Sequence, residues 1–166
     1  MESLVQFITT SLLNKISKEA IVFIISIMPL LELRGGLIAA SILKVPYIRA
    51  AIFVMIGNIL PIPFVLLLIE KILLIMEKWS LTKKFAIFLR HKAEKNKPKI
   101  DKDGFLGLAL FVGIPLPGTG AWTGSLIAAL FHMDYKKSLI SIFLGIIMAF
   151  IIMSIISYGV IFNLIH

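Results

Sequence analysis

The chain has no cysteine among its 166 residues, which removes disulfides and thiolate metal sites. Its three histidines, His91, His132 and His166, stand too far apart in sequence to make a metal-ligand spacing. Acidic residues are scarce, nine Asp and Glu against 17 Lys and Arg. There is no Ser/His/Asp set, and the PGTG turn at 117–120 lacks the lysine and spacing of a phosphate-binding loop. No enzyme activity, cofactor or metal is therefore expected. The opening residues MESLVQFITT show neither a basic n-region nor a small-residue cleavage site, so no cleaved signal peptide is expected.

Apolar residues dominate instead. They make up 59% of the chain, and the mean hydropathy is +1.01. That average belongs to an integral membrane protein, and the length to one domain, residues 1–166. The net charge of +8 does not point to nucleic acid, because the basic residues gather in one loop between apolar runs. Attraction to the anionic headgroups of membrane lipids fits that placement better.

Residues 1–19 carry apolar side chains near helical spacing (Leu4, Val5, Ile8, Leu12, Ile16) and end in Lys15 and Lys18, which predicts an amphipathic N-terminal helix on the membrane surface. Residues 20–31 are uncharged but span only ~18 Å as a helix, short of the ~30 Å hydrocarbon core. PLLELRGG follows, from Pro29 to Gly36, and places Glu32 and Arg34 inside an otherwise apolar run. Charges there cost roughly 2.5–3.5 kcal/mol each on insertion scales. Pro29, Gly35 and Gly36 predict a broken helix at that point. Broken backbone is tolerated within a bilayer only where protein or a wet cavity surrounds it. A second short arm, 37–43, then predicts a re-entrant hairpin; the rival reading is one kinked crossing.

Residues 50–69 form an uncharged run of one bilayer thickness, interrupted by Gly57, Asn58, Pro61 and Pro63, and are read as the first full span with a proline kink. Asn58 is a candidate site residue or an inter-helix hydrogen bond. Segment 77–103 holds nine Lys and Arg against four acids, with Trp79, Phe85, Phe88 and Leu89 as an apolar stripe. It predicts a basic interfacial helix and then a turn near Asn96–Pro98, on the cytoplasmic side. Residues 104–114, the stretch IPLPGTGAWTG (114–124), a return arm and the run 138–165 complete the chain.

The two halves superpose without a gap at an offset of 88: Phe23 on Phe111, Pro29 on Pro117, Gly36 on Gly124, Tyr47 on Tyr135, Gly57 on Gly145. The expected architecture is all-α and membrane-embedded. It has two inverted repeats (20–76 and 104–166), each a re-entrant helical hairpin plus one full transmembrane helix, with interfacial amphipathic helices at 1–19 and 77–103. Inverted repeats with broken helices at the midplane are a recurring transporter plan. Counting Lys and Arg puts the 77–103 loop inside on this topology and also on one with four full crossings, so the short arms decide between them.

PLLELRGG with PLPGTGAWTG resembles the small multi-drug export protein family, a distant relative of the DedA/VTT membrane proteins. The resemblance runs from about Ala20 to the C-terminus. It implies a multi-pass protein of the cytoplasmic membrane, with paired re-entrant helices and a transport role. For the DedA relatives that means moving lipid phosphates in a proton-dependent way. The residues it points to are Glu32, Arg34, Gly35 and Gly36, with Pro115, Pro117, Gly118, Thr119, Gly120 and Trp122. The chain is shorter than the DedA pattern, and Trp122 stands where the repeat would place a second arginine.

Hairpin tips of this kind expose the N-terminus of each return arm, which favours an anion. Arg34 can grip a phosphate or carboxylate in two-point fashion. Glu32, taken out of water, is able to accept a proton, and its protonation would release Arg34 to substrate. The plainer reading is a structural Glu32–Arg34 pair. Thr119 is a candidate hydroxyl ligand, and Trp122 a stacking platform or a packing residue. Three functions compete: a proton-coupled transporter or flippase for an amphiphile with an anionic head, an exporter of lipophilic cations, and a non-transporting scaffold. Membrane lipids, a small amphiphile and a proton are the expected partners, with a homodimer compatible with so small a bundle.

Overall fold

The computed structural model of the chain describes residues 2–12, 16–96 and 104–159. Lys15, segment 97–103 and residues 160–166, where part of the cytoplasmic turn and the end of the second span are expected, lie outside the described residues. All regular structure described is helical: α1 (Glu2–Leu12), α2 (Lys18–Ile27), α3 (Glu32–Ile42), α4 (Tyr47–Ile59), α5 (Ile62–Lys78), α6 (Ser80–Asn96), α7 (Phe105–Gly113), α8 (Ala121–Leu130) and α9 (Tyr135–Ser154), which runs into a π turn (Ile155–Gly159). The described residues fall into two compact units, one drawn from Met1–Pro61 and Ile146–His166, the other from Ile62–Gly145.

In the first unit, α2 starts where the Ser17 hydroxyl accepts the Ala20 N–H at 3.2 Å, with Glu19 in the first turn. It stops at the turn 28–31, where Pro29 and Leu30 are exposed. α3 then runs antiparallel to it. α3 closes in a left-handed cap: Lys44 takes φ 53° and the Val45 N–H donates to the Ala40 carbonyl at 2.9 Å. The Lys18 ammonium donates to the Leu43 carbonyl at 3.1 Å, adding positive charge at the C-terminal end of α3. α4 returns after Pro46 and packs on both α2 and α3. Gly36 lies against Ser26 and Val54, and Gly57 against the backbone of Phe23, so small residues bring three helices into close contact.

One expectation shifts here. Gly35 and Gly36 do not loosen the helix; they sit inside α3, buried, and the break falls at 28–31. Close packing against Ser26, Leu31 and Ile25 outweighs the low helix propensity of glycine. The run 50–69 lies within one apolar stretch, Tyr47–Lys78, interrupted by a two-residue turn at 60–61 between the end of α4 at Ile59 and the start of α5 at Ile62. Pro61 lacks the N–H that would continue α4, whereas Pro63 is tolerated in the first turn of α5.

In the second unit, α7 and α8 pack together, α5 packs on α6 and α8, and α6 on α8. Arg90 of α6 pairs with Glu77 of α5. The 77–103 segment is thus largely the helix α6, with Phe85, Ile87 and Phe88 exposed beside Lys83 and Lys84. α8 ends as α3 does: His132 takes φ 52° and Met133 N–H donates to the Ala128 carbonyl at 2.9 Å. A Cβ on Gly124 would stand 2.6 Å from Val112, and one on Gly145 2.6 Å from the Ala109 carbonyl. His132, Met133, Ala128, Gly124 and Gly145 each sit at the offset of 88 from Lys44, Val45, Ala40, Gly36 and Gly57 of the first unit.

Two stretches are long and apolar enough to cross a bilayer, Tyr47–Lys78 with 32 residues and Tyr135–Tyr158 with 24. Only 33% and 39% of their most apolar windows is buried in the protein, and Ile48, Phe64, Leu67, Ile140 and Ile151 face outward. The core helix of a water-soluble protein would bury that surface; here it is left for lipid.

Candidate functional site

Glu32 and Arg34 open α3, and both are buried, 7% and 9% exposed. A chain does not bury two charges on one turn without compensation, since desolvation costs several kcal/mol per ion. The Glu32 carboxylate acts electrostatically on the Arg34 guanidinium. On a regular helix, residues two apart point to different sides. Glu32 is not regular: its φ is +50°, in the left-handed region that costs a residue with a side chain roughly 1–3 kcal/mol. Its N–H still donates to the Met28 carbonyl at 2.9 Å, so the turn is closed behind it. A strained backbone under a buried charge persists only where the surrounding structure holds it in place.

Asn58 comes to the same level. α4 runs back along α3 from the 43–46 turn, and Val54 packs on Gly36. One helical turn beyond Val54, Asn58 is level with the first turn of α3. It is 2% exposed, and its Oδ1 has no hydrogen-bond partner. An orphaned buried acceptor costs about 1–3 kcal/mol. Ser26, on the third side, satisfies its own hydroxyl by donating to the Val22 carbonyl at 2.7 Å. Glu32, Arg34, Gly36 and Asn58 therefore lie in one unit, Asn58 level with Glu32 one turn before Gly36 and Arg34 on another face of α3, with Gly35 turned toward Leu31 and Ile25.

The second turn is built differently. Leu116, Pro117 and Gly118 are exposed, Pro115 and Thr119 half-buried, and Gly120 buried. Gly118 and Gly120 take φ 82° and 137°, conformations that glycine adopts without strain. The Thr119 hydroxyl is engaged in its own turn. It accepts the Leu116 N–H at 3.2 Å and lies 2.8 Å from the Ile114 and Leu116 carbonyls, to which it donates. Trp122 is half-buried in the first turn of α8. Among the described residues no cluster of His, Asp and Glu could hold a metal ion.

The sequence reading missed four buried hydroxyls. Thr9 in α1, Ser138 and Ser154 in α9 and Ser157 in the π turn are 1%, 1%, 8% and 7% exposed, and their side-chain oxygens have no partner. Ser154 and Ser157 read in sequence as ordinary small packing residues.

A family model described as "Putative small multi-drug export protein" matches residues 32–152, well over half of the chain, beginning at Glu32 itself. No curated protein and no solved structure matches the chain at a significant level.

Proposed function

The chain belongs to the small multi-drug export protein family and is a membrane protein, and from that premise we propose that it is a proton-coupled secondary transporter whose working site is the first turn of α3. The burial of Glu32 and Arg34 beneath a left-handed backbone carries this reading. Buried ionisable residues within a membrane mark ion and substrate pathways. The substrate we infer is an amphiphile with an anionic head, of the lipid-phosphate type. Arg34 binds the head at two points, and the N-terminus of α3 adds its partial positive charge. With Glu32 ionised, Arg34 is held by the carboxylate. With a proton on Glu32, Arg34 is released to the anion, so proton and substrate binding are linked.

The architecture we propose for this function has each half as a re-entrant hairpin plus one span, the halves opposite in orientation and the α6 segment cytoplasmic. Helices of 10 and 11 residues cover only about 15 and 16 Å, half a bilayer each, which supports the hairpin for α2 and α3. Kinship with the DedA/VTT proteins and a place in the cytoplasmic membrane belong to the same proposal.

The test is transport in proteoliposomes under an imposed pH gradient, with a fluorescent lipid phosphate as substrate. Glu32→Gln and Arg34→Ala are expected to abolish transport while the variants remain folded and monodisperse in detergent. Retained transport in both would remove the mechanism. The family description favours a second reading, export of lipophilic cations, with Glu32 as the cation and proton site. Uptake of a lipophilic cation by inverted vesicles, lost in Glu32→Gln but kept in Arg34→Ala, would select it.

A further inference from the structure

Four buried oxygens without partners lie in the first unit: Thr9 Oγ1, Asn58 Oδ1, Ser154 Oγ and Ser157 Oγ. Every element that carries Thr9, Asn58 or Ser157 packs on α3, the helix of Glu32 and Arg34. In the second unit Ser138 Oγ is also buried without a partner, but other buried serines are satisfied by the chain itself. Ser26 and Ser125 donate to the carbonyl four residues back, at 2.7 and 2.6 Å, and so need nothing further. Ser154 and Ser157 have the same option in principle and do not take it.

Their surroundings are polar. Ser157 sits in a π turn, a form that wide-opens the helix and recurs at functional sites. The Ser41 hydroxyl of α3 donates to the Ser157 carbonyl at 3.2 Å, and the Tyr158 hydroxyl donates to the Val45 carbonyl at 3.2 Å. Seven residues separate Arg34 from Ser41, so both stand on one face of α3. That face runs from the buried Arg34 to the 43–46 turn, where Lys44 is exposed and Tyr47 is 44% exposed. Ser154 precedes Ser157 by one turn and shares its side of the helix.

We propose that the seam between the Arg34–Ser41 face of α3 and the Ser154–Ser157 end of α9 binds a file of water molecules that connects the first turn of α3 with the solvent at the Lys44 turn. Buried polar atoms that no protein group satisfies are satisfied by water, each such water needing two to four polar partners. The hydroxyls of Ser41, Ser154 and Ser157 supply them. The water-binding claim stands on these oxygens alone; its role, delivering the proton to Glu32, rests on the transport reading above.

The absence of cysteine allows a direct test with single-cysteine variants. Ser41→Cys, Ser154→Cys and Ser157→Cys are placed in vesicles and exposed to a small water-soluble maleimide, with Ile151→Cys and Ile155→Cys as lipid-facing controls, 54% and 66% exposed. Maleimides need the thiolate, which forms only in contact with water. The seam positions are expected to react at least about tenfold faster than the controls. Rates at Ser41→Cys, Ser154→Cys and Ser157→Cys no greater than at the isoleucine positions would overturn the proposal, and the three variants on two helices guard against one failing to fold. The measurement does not involve transport. Fast seam labelling with transport retained in Glu32→Gln leaves the water file standing and removes the transport mechanism; slow labelling with transport lost in Glu32→Gln does the reverse.

Discussion

Gly57 of α4 lies so close to Phe23 of α2 that a Cβ on the glycine would stand 2.8 Å from the Phe23 carbonyl oxygen and 2.9 Å from the Ser26 Cβ. Neither neighbour can step aside, since one is backbone and the other belongs to a buried serine bonded to Val22. Gly57→Ala is therefore expected to lower stability by about 1–3 kcal/mol through overpacking. Gly118→Ala, where an added Cβ meets nothing within 4 Å, pays only for its φ of 82° and should lose less, about 1 kcal/mol. Thermal melts in one detergent compare the two; an equal loss would contradict the packing argument.

Glu32 holds a left-handed backbone that glycine would adopt freely. Glu32→Gly relieves that strain but also removes the carboxylate that compensates the buried Arg34 guanidinium, so stability should fall by about 3 kcal/mol and transport should be lost. Adding Arg34→Leu should recover most of the stability, because no buried charge is then left uncompensated. A Glu32→Gly protein as stable as the parent would mean that the carboxylate does not compensate Arg34.

Asn58 offers a complementary case. Its buried Oδ1 has no partner, so Asn58→Leu removes a desolvation cost and is expected to leave stability unchanged or raised by about 1 kcal/mol. Transport should fall in the same variant. A loss of stability with transport intact would make Asn58 a packing residue, to be read by melting and flux side by side.

The Glu19–Arg49 pair, at 3.5 Å with the arginine side chain 68% exposed, is expected to matter little. A double-mutant cycle with alanine at both positions should return a coupling of about 0–1 kcal/mol, shrinking further in high salt. A larger, salt-insensitive coupling would show that this end of the first unit is shielded from water.

Much of the fold is legible in the sequence because punctuation and length are local signals. The short arms, the charged break and the offset of 88 come from Pro, Gly and charge positions, and the caps at Lys44 and His132 follow the same offset with φ 53° and 52°. What escaped depends on tertiary packing. Gly35 and Gly36 look like helix breakers until Ser26, Leu31 and Ile25 are placed against them. The strain at Glu32 is invisible because glutamate gives no hint of a left-handed backbone, whereas Gly120 at the matching position does. Pro61 and Pro63 read alike in sequence, yet one ends a helix and the other begins one. Ser154 and Ser157 differ from Ser26 only in a hydrogen bond not made, which no residue type announces.

The most direct measurement of the account is the side of the membrane from which Lys44→Cys and Lys136→Cys, both exposed positions at the ends of return arms, react with an impermeant thiol reagent in intact cells and inverted vesicles. Two re-entrant hairpins of opposite orientation predict that Lys44→Cys is labelled from outside and Lys136→Cys from the cytoplasmic face. Labelling of both from the same face would contradict it, leaving α2–α3 and α7–α8 as full crossings and Glu32 with no dead-end loop to stand in.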